Sequence, residues 1–304
     1  MMMYVTKDDL RQVGVVTKNE LIKNLRGRKF LMSLGVIILI FGLITALPYL
    51  TDSPWGADTT TLDILSSYFT YSSIIAVLIV ALIASVALVS EFEERTALIL
   101  FTRPIKRTTV FVGKLVSCLV ILAMMMGLYY ALVAVMLLIF PGKIPSTFLV
   151  SFGFCILYIF ATTGIAFLIS TMFNRGSVCT IMSILVMAIV IPIITMMIGG
   201  NTWYMLDTAG NSMLTGIPEY VSMYNENIEM MVYQLQMILE YLVEANDPSI
   251  YFGIEFIQRM VASNMMGFLT PLESPLVWRE SLVLVGWGGV ALTAAWLKFI
   301  RKEF

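Results

Sequence analysis

Six apolar runs, at about 30–50, 65–90, 110–140, 147–173, 178–198 and 279–299, decide what this chain can fold into. Several exceed the ~18 consecutive apolar residues that argue for crossing a bilayer. Backbone N–H and C=O groups in hydrocarbon have no water to pair with, and a helix is the structure that satisfies them within one segment. The expected fold is therefore all-α: an integral membrane protein with six transmembrane helices. The composition belongs to the same class, with 59% hydrophobic and 13% charged residues and a mean hydropathy of +0.89. The first run begins at Phe30, too late and too long for a cleaved signal peptide, so it is expected to remain as an anchor.

One charged passage interrupts these runs, from Glu91 to Lys114. Glu91 stands four residues before Arg95, the favourable order for a helical ion pair, and Glu91, Glu93 and Glu94 fill a first turn where the helix dipole favours acids. Pro104 biases Arg103 toward extended backbone, so the spacing predicts a short helix over 91–102, with Thr108 or Thr109 capping the next one. Phe92 and Ile99 point one way around it, whereas Leu98 and Phe101 point nearly the other. A helix apolar on two sides needs two partners. One is the transmembrane bundle, and the other is absent from this chain.

Upstream, Met1 to Val16 is polar and gives no clear signal. Thr17 and Glu20 have capping-box spacing and Val16 with Leu21 fits a hydrophobic staple, which predicts a helix beginning there. It carries Lys18, Lys23, Arg26, Arg28 and Lys29 beside Leu21, Ile22 and Leu25, the pattern of a basic helix lying in the membrane interface and touching its lipids. Placing the N-terminus inside puts every Lys and Arg on the cytoplasmic side except Lys143, Arg259 and Arg279, which fixes the orientation by the positive-inside rule. Both termini and the 91–102 helix are then cytoplasmic, in a multi-pass protein of the cell membrane.

The predicted organisation is a cytoplasmic N-terminus over 1–29, spans one to five over 30–198, an extracellular helical region over 199–276, and the sixth span with the C-terminus over 277–304. Within the outer region, Ile228, Met231, Val232, Leu235, Ile238, Leu239 and Leu242 share one helical face, with Glu226, Glu229, Glu240 and Glu244 opposite. A second apolar stretch, 249–268, contains Glu255 and Arg259, each costly at mid-bilayer. It reads as a partly buried or re-entrant segment completing a helical hairpin between spans five and six.

Several chemistries are excluded by what is missing. The middles of the six spans carry no charge, unlike carriers that bind and release a coupling ion there. The chain contains no histidine, which removes histidine metal ligands and histidine-based acid–base catalysis. Gly113-Lys114 lacks the upstream glycine and the following Ser or Thr of a phosphate loop. Cys118, Cys155 and Cys179 all lie inside apolar runs, without metal-site spacing. The 22 methionines read as adaptable packing. Nothing points to nucleic acid, a resident cofactor, a metal site or a catalytic residue. Directed work by this chain requires energy from another polypeptide.

Glu91, Glu94, Arg95, Thr96, Leu98, Leu100, Pro104, Ile105, Arg107 and Lys114 together resemble the pattern after the second span in permeases of the type-2 ABC exporter class. Six spans, a basic amphipathic helix before the first and a helical hairpin before the last are also similar to that class. One position departs, because Arg95 stands where many members have Gly before the Thr. The resemblance implies that 91–102 is the coupling helix docking into a separate ATP-binding subunit, which would hold ATP and Mg. The docking set is then Glu91, Phe92, Glu93, Glu94, Arg95, Thr96, Leu98, Phe101, Arg103 and Pro104, joined by Glu20, Lys23, Arg26 and Arg28 of the interfacial helix. It further implies a homodimer or heterodimer of permeases exporting a compound or ion by alternating access. The uncharged spans favour a hydrophobic or amphiphilic cargo. The rival is a non-transporting anchor or sensor that recruits a cytoplasmic ATPase.

Overall fold

The computed structural model describes residues 7–50, 55–56, 61–69, 71–90, 106–140, 142–144, 148–191, 193 and 277–301. The chain divides into a unit of Met1–Thr215 with Leu276–Phe304 and a second unit of Gly216–Pro275. The second unit, and with it the predicted outer hairpin, lies outside the described residues. The described part of the first unit consists of helices and the short turns and connections between them, without a strand among the described residues.

Helix α1 spans Lys7–Arg26 and α2 spans Arg28–Leu50. They are followed by α3 (Thr61–Phe69), α4 (Ser72–Ile83), α5 (Arg107–Ile139), α6 (Phe148–Met172), α7 (Gly176–Leu185) and α8 (Val277–Arg301). Arg28–Leu50, Arg107–Ile139, Phe148–Met172 and Ser281–Arg301 are long and apolar enough to cross a membrane. At 1.5 Å per residue a 23-residue helix such as α2 reaches roughly 35 Å, enough for a hydrocarbon core about 30 Å thick. Helix α5 has 33 residues and reaches about 50 Å, so several of its turns extend beyond that core.

The other two predicted spans overlap apolar helices of fewer than 18 residues, α4 (Ser72–Ile83) and Gly176–Val190, which are not among the four long enough to cross a membrane. After α4, a run of turns occupies 84–88, where the Ala87 N–H reaches back only to the Ala84 carbonyl at 3.2 Å. After α7 the ladder widens into a π-helix over Val186–Val190, with the Ile191 N–H bonded to the Val186 carbonyl.

Two sequence-based helix starts need correction. The Thr17–Glu20 capping box and the Val16–Leu21 staple do not begin a helix, because α1 is already running from Lys7. Tertiary partners claim those side chains instead: the Thr17 hydroxyl donates to the Gly113 carbonyl at 3.2 Å and Glu20 pairs with Lys114. Thr108 and Thr109 do not cap α5 either. Its N-cap is Lys106, extended at φ −66° and ψ 139° without a side-chain cap, and the Thr109 N–H bonds the Lys106 carbonyl at 3.0 Å.

The helices alternate in direction between two ends of the bundle. Only Gly27 separates α1 from α2, and Glu20 meets Lys114 near the start of α5, so α2 and α5 both leave the end where α1 lies. Helix α6 returns: Ser151 near its start bonds Tyr130 near the end of α5, and Phe167 near its end meets Phe111 near the start of α5. Helix α8 finishes at the same place, with the Ile300 carbonyl accepting from Arg107. Small residues let α6 and α8 approach closely. A Cβ on Gly164 would lie 2.9 Å from the Gly288 carbonyl oxygen, and one on Gly288 would lie 2.5 Å from the Phe160 ring. Gly288, Ala291 and Ala295 of the last span are therefore spent on packing within the chain.

Candidate functional site

The residues that sequence reasoning placed in the short charged helix, Glu91, Phe92, Glu93, Glu94, Arg95, Thr96, Leu98, Phe101, Arg103 and Pro104, lie outside the described residues. What the structure does give is the pair of points where that segment leaves and rejoins the bundle, and both are anchored by contacts distant in sequence.

On the leaving side, the hydroxyls of Ser85 and Ser90 turn back to the carbonyls of Ala81 and Ala87. Such back-bonding by serine loosens a helix. The Val89 N–H is carried across to α6, donating to the Ser170 hydroxyl at 3.2 Å in a buried bond. Ser85 also contacts Thr180 of α7 at 3.3 Å between hydroxyl oxygens. The last residues before the charged segment are thereby tied to two neighbouring helices.

On the rejoining side, Arg107 opens α5 and donates from Nη1 to the Ile300 carbonyl at 2.9 Å. The last carbonyls of a helix have no partner within it, so a guanidinium there satisfies an orphan acceptor and complements the negative end of the dipole. One turn on, the Phe111 ring meets Phe167 edge-on at 5.6 Å and Phe299 at 5.8 Å, closing α5, α6 and α8 around an aromatic contact.

The third anchor is the seam between α1 and α5. Val13, Val16, Thr17, Glu20 and Asn24 fall on the half-buried side of α1, while Arg11, Val15, Lys18, Ile22 and Arg26 fall on the exposed side. Gly113 allows the approach, since a Cβ there would stand 2.7 Å from Val16 Cγ1. Beside it, Lys114 Nζ lies 3.0 Å from Glu20 Oε1, with the lysine side chain 2% and the glutamate 18% exposed. An ammonium removed from water this fully is tolerated where a carboxylate faces it. Stripping the partner from a buried pair typically costs about 3–5 kcal/mol.

Among the interfacial-helix residues named from the sequence, the structure therefore separates one from three. Glu20 turns inward to Lys114, whereas Lys23, Arg26 and Arg28 are exposed. Ser170, Phe111, Gly113 and the Ile300 carbonyl went unnoticed as site elements. The Gly113-Lys114 dipeptide was the available signal, a small residue and a cation side by side in an otherwise apolar helix. The whole arrangement holds position: it fixes both ends of a charged segment to α1, α5, α6, α7 and α8.

Comparison with known proteins adds one finding. Residues 16–194, more than half of the chain, match the model of a family described as ABC-2 family transporter protein. The matched stretch contains the α1–α5 seam and both ends of the charged segment. No curated protein matches the chain.

Proposed function

The chain belongs to the ABC-2 transporter family, and from that premise we propose that it is the permease of an ATP-driven exporter in which 91–102 is the coupling helix. As a member it is a multi-pass membrane component that works with an ABC ATP-binding subunit, which supplies the ATPase activity. Two permease chains, identical or different, pair with two ATP-binding subunits. ATP binding draws those subunits together, and the movement enters the bundle through 91–102 and α1. Six crossings with both termini cytoplasmic fit the alternating directions of the described helices and the shared end of α1 and α8.

The observation that carries this reading is the anchoring of the charged segment at both ends, through Val89 to Ser170 and through Arg107 to Ile300. A loop present only for topology needs no such anchoring. A lever does, because displacement at its tip is otherwise absorbed at its base. Glu91, Glu93, Glu94, Arg95 and Arg103 set docking by charge complementarity, and Phe92, Leu98 and Phe101 supply apolar contacts to the partner. The cargo is hydrophobic or amphiphilic, or an ion, moved outward by alternating access.

Co-purification with candidate ATP-binding subunits tests the assignment. A Glu94→Lys, Phe101→Asp double variant is expected to lose both the bound subunit and its hydrolysis while the permease remains folded. If the ATPase stays bound and active, the coupling assignment is wrong.

A further inference from the structure

We propose that Glu20 is a positioning residue: its ion pair with Lys114, seated beside the Gly113 contact, fixes the register of α1 on α5 so that the two helices move as one body. This rests on the coupling reading above for its functional half and on geometry alone for its structural half. The three contacts at the seam differ in kind. Val16 against Gly113 is a close steric approach, which limits how near the helices come. Thr17 to the Gly113 carbonyl is a single hydrogen bond at 3.2 Å. Val16 seated on Gly113 already favours this register, because a slide of one turn sets it against a larger side chain, but both contacts allow smaller shifts. The Glu20–Lys114 pair at 3.0 Å adds the directional constraint, since any slide draws the Glu20 carboxylate away from a lysine that is 2% exposed. Buried ion pairs contribute little net stability compared with well-packed apolar side chains, and their best-attested use is to specify register.

Lys114 sits two turns along α5 from Arg107, whose guanidinium holds the end of α8. A register fixed at Lys114 therefore also fixes α1 relative to the point where 91–105 rejoins the bundle. Movement delivered to α1 or to the charged segment then reaches α5 as a single displacement. Without the pair, α1 slips and the two inputs separate.

The test uses the full chain in lipid nanodiscs, with the three buried native cysteines replaced by alanine and spin labels at Lys18→Cys on α1 and Val120→Cys on α5. The wild-type pair is expected to give one narrow interlabel distance. In Glu20→Met, Lys114→Met the melting temperature is expected to hold or rise while the distance distribution broadens at least twofold. The reciprocal swap Glu20→Lys, Lys114→Glu is expected to restore the width. A wild-type width in the apolar pair overturns the register assignment. Should the apolar pair fail to fold, Glu20→Gln is compared with the swap, and failure of the swap to narrow the distribution overturns it equally. In complex with the ATP-binding subunit, the apolar pair is expected to lose permease-dependent ATPase stimulation at least tenfold. A broadened distance with undiminished stimulation overturns the transmission half. Absence of any stimulation by the wild-type permease defeats the coupling reading instead, and the distance width still decides the register.

Discussion

The two ends of the bundle are held by different physics. At the end occupied by α1, directional contacts are set into the packing of Val16 on Gly113 and of Phe111 on Phe167 and Phe299: Glu20 to Lys114, Arg107 to the Ile300 carbonyl, the Val89 N–H to Ser170. At the other end the contacts are broad. Phe41 stacks on Tyr68 at 5.0 Å, Trp55 on Tyr68 at 6.2 Å, and Phe69 on Phe148 at 5.9 Å. Hydroxyls and an indole stitch these rings to backbone. Tyr129 donates to the Tyr68 carbonyl at 2.6 Å, Trp55 Nε1 to the Thr45 carbonyl at 3.0 Å, and the Thr45 and Tyr68 hydroxyls lie 2.8 Å apart. Stacked rings contribute area and tolerate small shifts. An ion pair with a buried lysine contributes register and tolerates none. The difference identifies the α1 end as the place where position is specified and the aromatic end as the place where the helices are simply held together.

Five substitutions sharpen or break that contrast, each read first as thermal stability in detergent. Glu20→Met has the largest expected effect, a loss of up to about 3–5 kcal/mol, because it removes a carboxylate that faces the 2% exposed Lys114 ammonium. Lys114→Met is expected to cost less, since Glu20 retains 18% exposure and reaches water. Equal losses would show that the pair is not asymmetrically buried. Next comes Gly113→Ala, whose new methyl meets Val16 at 2.7–2.9 Å. Overpacking of this kind costs roughly 1–3 kcal/mol. Adding Val16→Ala should recover most of it, and a non-additive double-mutant cycle is the measurement.

Ser170→Ala follows at about 1–2 kcal/mol, from leaving the buried Val89 N–H without its acceptor. Its sharper signature is faster hydrogen exchange confined to the turn at 84–90. The smallest is Tyr129→Phe, about 1 kcal/mol, which removes the bond to the Tyr68 carbonyl and keeps the ring. In the assembled transporter it should lower stability without altering ATP hydrolysed per molecule moved, whereas the charged-end variants should alter that ratio. A coupling ratio that moves equally at both ends would erase the distinction between them.

The sequence made the bundle legible in parts. The helix over Arg28–Leu50 was expected at 30–50, Phe148–Met172 at 147–173 and Val277–Arg301 at 279–299, because a run of apolar residues reports its own burial in lipid. The runs at 65–90 and 178–198 also announced apolar segments, but not the turns at 84–88 or the π-helix over Val186–Val190. Beside the turns at 84–88, the Val89 N–H goes to Ser170 of α6, a partner 81 positions away that no local pattern names. Thr17 and Glu20 mark the limit most clearly. Their spacing satisfies a local capping rule, yet their partners lie in α5.

Membrane residence, helical class and the singular charged segment were thus determined by the sequence alone, since each follows from local composition acting on lipid, water and the helix dipole. The pairing of Glu20 with Lys114 across 94 positions, of Thr17 with Gly113 across 96 and of Arg107 with Ile300 across 193 was decided only by the tertiary structure. No period of 3.6 residues encodes which turn of one helix meets which turn of another. That choice is made when the packed bundle leaves one register in which the buried lysine finds a carboxylate and the glycine finds its neighbour.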